Sequence, residues 1–350
     1  MGCKNCSPRT SHGVEILSRI KVCIKSNEPS HLKELISLYE YYSERKCHEF
    51  IDERIIKGKK RYFSLLGYAV WSGSYKSYKN LIQNHNASFY FMMQSLEKEG
   101  LDPLNRICEK GYLVLLKMFY PEHCEYERYK KYAQESSCVM NSLPSMHSFE
   151  LIFTPIQLAV FNNHLSIVSY FTEYHNQEKI PKNVDLHHVD EYTGENCALV
   201  ACRAGNFPMV MMLHEKYEAD FHLKNKRNES VFQIIAAESR KNSGLSYLEC
   251  LRYVTNIIKV DITYMHEETL LLFENRLCIK FFEEALRDRG IITSKKEVES
   301  LFRTKKHIIK SEDLKDFLKN IEEFSRIIPC SAESEFQSSY LTLRDEMIST

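Results

Sequence analysis

Thr154-Pro155-Ile156-Gln157-Leu158-Ala159-Val160-Phe161-Asn162-Asn163-His164 is the stretch on which the fold turns. A threonine hydroxyl caps the start of a helix, and a proline one position later loses no hydrogen bond because that N–H has no partner in a first turn. Ala159 presents a small side chain where a neighbouring helix can approach. Asn163 tolerates the left-handed backbone that ends one helix and turns the chain toward the next. Ile167, Val168 and Phe171 then carry the apolar spacing of a second helix. The segment predicts a short helix, a tight turn and a second helix running back along the first.

The same order of residues recurs on both sides of it. Ser64 and Leu65 lead through Ala69 and Trp71 to Gly73, then to Tyr78, Leu81 and Ile82. Pro103-Leu104 runs to Gly111 and on to Leu115, Leu116 and Phe119. Cys197 leads through Ala201 and Cys202 to Gly205, then to Met209, Val210 and Leu213. Ser230 to Ala236, with Leu251 and Val254, is a further copy, and worn copies cover residues 20–35 and 269–290. Measured between the expected turns, at Asn27, Gly73, Gly111, Asn163, Gly205, Ser239 and Cys278, the intervals are 46, 38, 52, 42, 34 and 39 residues.

These residues resemble the ankyrin repeat, whose T-P-L-H-x-A-A-x-x-G-H core is matched best by residues 154–164 and whose period is about 33 residues. The longer intervals imply lengthened fingers and insertions. A HEAT-like array, at about 40–47 residues per repeat, satisfies the period alone, but the T-P start and the glycine four residues after a small alanine favour ankyrin. The resemblance covers residues 15–291 and implies an all-α ankyrin-repeat solenoid of about six to seven degenerate helix-turn-helix units. It also implies a non-enzymatic protein that binds a partner protein through a concave face and finger loops. Residues 129–150 read as a loop or long finger and residues 241–244 as an expanded turn. Residues 292–329 read as a helical extension stopped by Pro329, and residues 330–350, rich in Ser and Glu, as a disordered tail.

Composition narrows the function further. Among 350 residues, 47 basic side chains balance 47 acidic ones, which argues against a nucleic-acid partner. No apolar run has the length of a membrane-spanning helix and the start lacks the apolar core of a signal peptide, so the expected compartment is the cytosol. The 12 cysteines, scattered through amphipathic segments, fit reduced and buried thiols. Phosphate-loop, dinucleotide-glycine and nucleophile-elbow motifs are absent. His266-Glu267 has Leu270 where a zinc helix needs its second histidine, and reads as a surface turn. His187-His188, between Asp185 and Asp190, has no further ligand at a useful spacing, and Cys197 and Cys202 occupy positions that want small apolar side chains. No catalytic, cofactor or metal site is expected.

Two stretches carry the candidate function. The first seven residues, Met1-Gly2-Cys3-Lys4-Asn5-Cys6-Ser7, resemble the dually acylated M-G-C-x-x-C starts of several Src-family kinases. Loss of Met1 exposes the unhindered amine of Gly2 for myristoylation and brings Cys3 and Cys6 to a bilayer for palmitoylation. One myristoyl chain binds a membrane only marginally, whereas two acyl chains make residence long-lived. The C-x-x-C spacing also suits half a zinc site, but no second pair completes it. The second stretch is the finger ahead of Leu65, where Lys57, Lys59, Lys60 and Arg61 adjoin Tyr62, with Trp71 on the following helix. These are the candidate partner-binding residues, suited to an acidic segment or to anionic head groups. The expected protein is an interaction module held at the cytosolic face of a membrane by residues 1–14; the alternatives are a soluble cytosolic scaffold or assembly chaperone and, less favoured, an enzyme whose catalytic residues lie in the irregular segments or the C-terminal extension.

Overall fold

The computed structural model describes residues 11–58, 61–136, 153–175, 181, 183–240 and 245–292. Gly2, Cys3, Cys6, Lys59, Lys60, the turn at 241–244, and the extension and tail expected beyond residue 292 lie outside them. The chain is all-α, and its sequence repeat is a repeat of structure. Helices α1 (Ser11–Lys25) and α2 (Leu32–Ser43) form a first pair, followed by the short α3 (Cys47–Phe50) and a hairpin of β1 (Ile56–Lys57) and β2 (Tyr62–Phe63). Further pairs are α4 (Leu65–Ser72) with α5 (Tyr75–His85), then, after an added helix α6 (Phe89–Lys98), α7 (Pro103–Lys110) with α8 (Leu113–Ser136). They continue with α9 (Pro155–Phe161) and α10 (Leu165–Tyr174), α11 (Cys197–Ala204) and α12 (Phe207–Glu215), α13 (Val231–Ser239) and α14 (Leu245–Tyr253), and α15 (His266–Leu272) and α16 (Arg276–Asp288). The chain divides into two bodies, Met1–Tyr170 and Phe171–Thr350.

The first helices α4, α7, α9 and α11 each start on a side chain that satisfies orphan N–H groups. Ser64 Oγ accepts from Gly67 N at 3.1 Å, and Asp102 Oδ1 accepts from Leu104 N and Asn105 N at 2.9 and 3.1 Å. Thr154 and Gln157 form a reciprocal box, each side chain accepting from the other's backbone N–H at 3.4 and 3.1 Å. Asn196 Oδ1 does the same for Leu199 N at 3.0 Å. A cap of this kind stabilises a helix by about 1 kcal/mol, which matters for helices of seven or eight residues that are too short to persist alone. What holds them is burial: Ala69, Ala159 and Ala201 are fully buried, so no side chain props adjacent helices apart. In the N-terminal body α4 packs against α1 and α7, and α7 against α9; in the C-terminal body α13 packs against α11 and α15.

The turns within pairs are left-handed where glycine or asparagine was expected, with φ of 58° at Asn27, 77° at Gly73, 75° at Gly111, 59° at Asn163 and 65° at Gly205. At three of them a ring from the following pair lies flat on the glycine. A Cβ added to Gly73 would sit 2.5 Å from Tyr112 Cζ, one on Gly111 2.6 Å from His164 Cε1, and one on Gly205 2.8 Å from Tyr247 Cζ. Two of these rings also bond a carbonyl two residues ahead of the glycine: His164 Nε2 donates to Glu109 O at 3.0 Å, and Tyr247 OH to Arg203 O at 3.1 Å. Glycine is thus required twice over, for its backbone angle and for the room it leaves.

Three expectations fail. Residues 129–136 are not loop, because α8 continues through Pro121 to Ser136. The prolyl ring costs one backbone bond, but α6 supports the far side: Phe89 packs on Phe119 and Tyr126, Tyr90 on Tyr126 and Tyr129, and Lys130 Nζ bonds Glu97 at 2.9 Å. Cys278 is not a turn but a buried residue of α16. The turn before it is extended at Phe273, and Asn275 caps α16 by accepting from Leu277 N and Cys278 N at 3.0 and 3.4 Å. His266 opens α15 instead of a surface turn; its Nδ1 lies 2.9 Å from Thr263 O, and the position one turn on, where a zinc helix has its second histidine, is the buried apolar Leu270.

Candidate partner-binding face

The finger ahead of α4 is a true hairpin. Ile56 pairs with Phe63 and Lys57 with Tyr62 in an antiparallel register, and Gly58 N donates to Arg61 O at 2.7 Å. Alternation does the rest: Ile56 and Phe63 are buried, whereas Lys57 and Tyr62 face outward. Gly58 lies against the Phe63 ring, where a Cβ would approach to 2.7 Å of Cε2. The hairpin is tied to its own body at both strands. Lys21 Nζ donates to Lys57 O at 2.6 Å, and Arg61 Nη1 to Glu99 O at 2.6 Å, while the Glu99 carboxylate pairs with Arg54. Arg61 therefore spends part of its guanidinium on backbone anchorage, and Lys57 presents its ammonium outward.

Behind Phe63 lies Trp71, near the end of α4 and half-buried, with ring centroids 5.7 Å apart. The Arg106 guanidinium of α7 stacks over the indole at 5.0 Å, close enough for a cation–π contact. Arg106 Nη1 also donates to Glu109 at 3.2 Å, and Lys110 pairs with the other oxygen of Glu109 at 2.7 Å. Partial burial raises the Glu109 carboxyl, but hydrogen bonds from Lys110 and Arg106 outweigh it and leave the group below the ordinary carboxylate range. Trp71, Glu109 and Phe161 each precede their turn residue by two positions, so the repeat places them on equivalent faces of successive first helices. Phe161 is exposed and packs on Phe153 with centroids 5.3 Å apart.

Of the residues the sequence singled out, the structure brings Lys57, Arg61, Tyr62 and Trp71 to one finger and its supporting helix. Sequence reasoning missed Arg106 and Phe161. Counting back two positions from Asn163, as from Gly73 to Trp71, would have found Phe161; Arg106 lies five positions before Gly111 and has no such signal. Burial pushes the deeper thiols of Cys197, Cys202 and Cys250 well above the ordinary thiol range, which favours their protonated form. Among the described residues no group of three or more His, Cys, Asp or Glu side chains is arranged to hold a metal, and no helix is long and apolar enough to cross a membrane.

No protein-family model matches the chain, and no curated protein matches it. Among solved structures, it is similar to the ankyrin repeat domain of Bcl-3, described as a unique member of the IkappaB protein family, at 14% identity and a TM-score of 0.43, over 75% of this chain and 97% of that one.

Proposed function

We propose that this protein is a non-enzymatic interaction module that captures an acidic, aromatic-tolerant segment of a partner protein on the hairpin and first-helix face of its N-terminal body. The observation that carries this reading is the Arg106 guanidinium stacked on the half-buried Trp71, next to a hairpin that turns Lys57 and Tyr62 to solvent: aromatic and arginine side chains held in place by their own packing are the anchors that dominate binding energy. Lys59 and Lys60 add charge to the same finger in the sequence. In the same reading Gly2, Cys3 and Cys6 carry myristoyl and palmitoyl groups that hold the module at the cytosolic face of a membrane.

Selection of peptides from a displayed random library on the immobilised protein tests the face. Acidic sequences should be enriched, and Trp71→Ala or Arg61→Glu should weaken their binding about tenfold or more without lowering the melting temperature by more than a few degrees. Enrichment of basic peptides, or binding indifferent to both substitutions, overturns it. Metabolic labelling with an alkyne myristate tests the anchor separately: the wild type should label and Gly2→Ala should not.

A further inference from the structure

We propose that Tyr41 and Tyr42 form a bilayer-contact patch that seats the first helix pair in the lipid interface; this rests on the acylation reading. Cys3 is eight residues ahead of Ser11, the first residue of α1, and eight residues span at most roughly 28 Å. An acylated start therefore keeps the N-terminal end of α1 within that reach of the bilayer. The residues around that end suit it. Helix α2 packs along α1, and the His12 ring stacks on Tyr42 with centroids 5.3 Å apart and planes 11° from parallel, which brings the end of α2 to the start of α1. Tyr41 stands edge-on to Tyr42 at 5.2 Å and is 77% exposed.

An isolated exposed apolar side chain needs no explanation, but two adjoining tyrosines at the helix end nearest the anchor do. Tyrosine is enriched where membrane meets water, because its ring is apolar and its hydroxyl stays hydrated. The charges flanking the tyrosines in sequence balance, Glu40 and Glu44 against Arg45 and Lys46, so the patch gains little from an anionic leaflet. Its contact is expected to be insensitive to lipid charge, unlike any contact made by the cations of the hairpin.

The test supplies the tether artificially, so that failure of acylation cannot imitate failure of the patch. The full chain carries a histidine tag ahead of Met1 and is bound to vesicles containing a nickel-chelating lipid, with brominated phosphatidylcholine as quencher. Trp71 is the single tryptophan, so Trp71→Phe combined with Tyr41→Trp gives one reporter at the patch, and Trp71→Phe with Leu245→Trp gives one at an exposed site of the C-terminal body. The expected result is about twofold or greater quenching at position 41, little at 245, and no change when anionic lipid is added. Equal quenching at both positions, none at 41, or quenching that depends on anionic lipid overturns the proposal. So does sedimentation showing that a second copy of the chain covers the patch in solution.

Discussion

Replacing Gly205 by alanine tests whether the turn glycines are held by backbone angle alone or also by the ring seated on them. With φ at 65°, an alanine at this site pays the left-handed penalty of about 1–2 kcal/mol. Its methyl group would also lie 2.8 Å from Tyr247 Cζ and 2.9 Å from both Cε atoms, contacts that neither the ring nor the turn tolerates without shifting. Tyr247 is buried and its hydroxyl is fixed on Arg203 O, so the ring cannot swing away at no cost, and overpacking of this kind adds about 1–3 kcal/mol. Gly290 is the internal control. Its φ is 71°, yet no atom lies within 4 Å of an added Cβ, so Gly290→Ala carries the backbone penalty alone. Urea and thermal unfolding followed by far-UV circular dichroism should place Gly205→Ala below Gly290→Ala by about 1–3 kcal/mol. Hydrogen exchange should localise the loss to α11, α12 and α14. Equal destabilisation by the two substitutions would refute the argument, because it would leave the ring no part in the requirement for glycine.

Two further predictions concern buried charge and thiols. Arg203 donates to Glu195 through Nε at 3.1 Å and to Glu238 at 3.0 Å, and Glu195 is only 2% exposed, so Arg203→Met should cost about 3–5 kcal/mol by stranding that carboxylate. Adding Glu195→Leu should restore most of the loss in the same melts; no recovery would mean that packing, not charge, sets the cost. Burial, partly opposed by Arg252, pushes the Cys278 thiol up to about 12 from an ordinary value near 9. Between those values the unfolded chain loses the proton while the folded chain keeps it, so stability should fall as pH rises from about 9 to about 12. A Cys278→Ala variant should show a shallower decline, and identical slopes would contradict the shift.

How far the fold could be read depended on whether a residue type and its conformation coincide. Thr154, Asn163, Gly73, Gly111 and Gly205 are residues whose chemistry all but dictates a cap or a left-handed turn, and the structure places each in that role. The last pair has no such marker: the turn between α15 and α16 is extended, and the left-handed residue that introduces α15 is Met265, a type that rarely adopts that conformation. In α8, Pro121 signals a helix end, and only contacts with α6, remote in sequence, override it. The candidate face was legible as composition, in Lys57, Arg61, Tyr62 and Trp71. The stacking of Arg106 on Trp71 was not, because it joins two copies whose separation of 35 residues has no fixed meaning in a drifted repeat.

The seating of each ring on the preceding glycine also gives the array a direction. Gly73 receives Tyr112, Gly111 receives His164 and Gly205 receives Tyr247, always from the copy nearer the C-terminus. Each of these three copies thus leaves its socket open as it emerges from the ribosome until its successor has been made, and a chain cut after α5, α8 or α12 ends on an empty socket. Duplication or exchange of repeats is compatible with this arrangement only when the breakpoints keep each plug with its socket. The unit of inheritance then runs from one turn to the next and does not coincide with the helix pair.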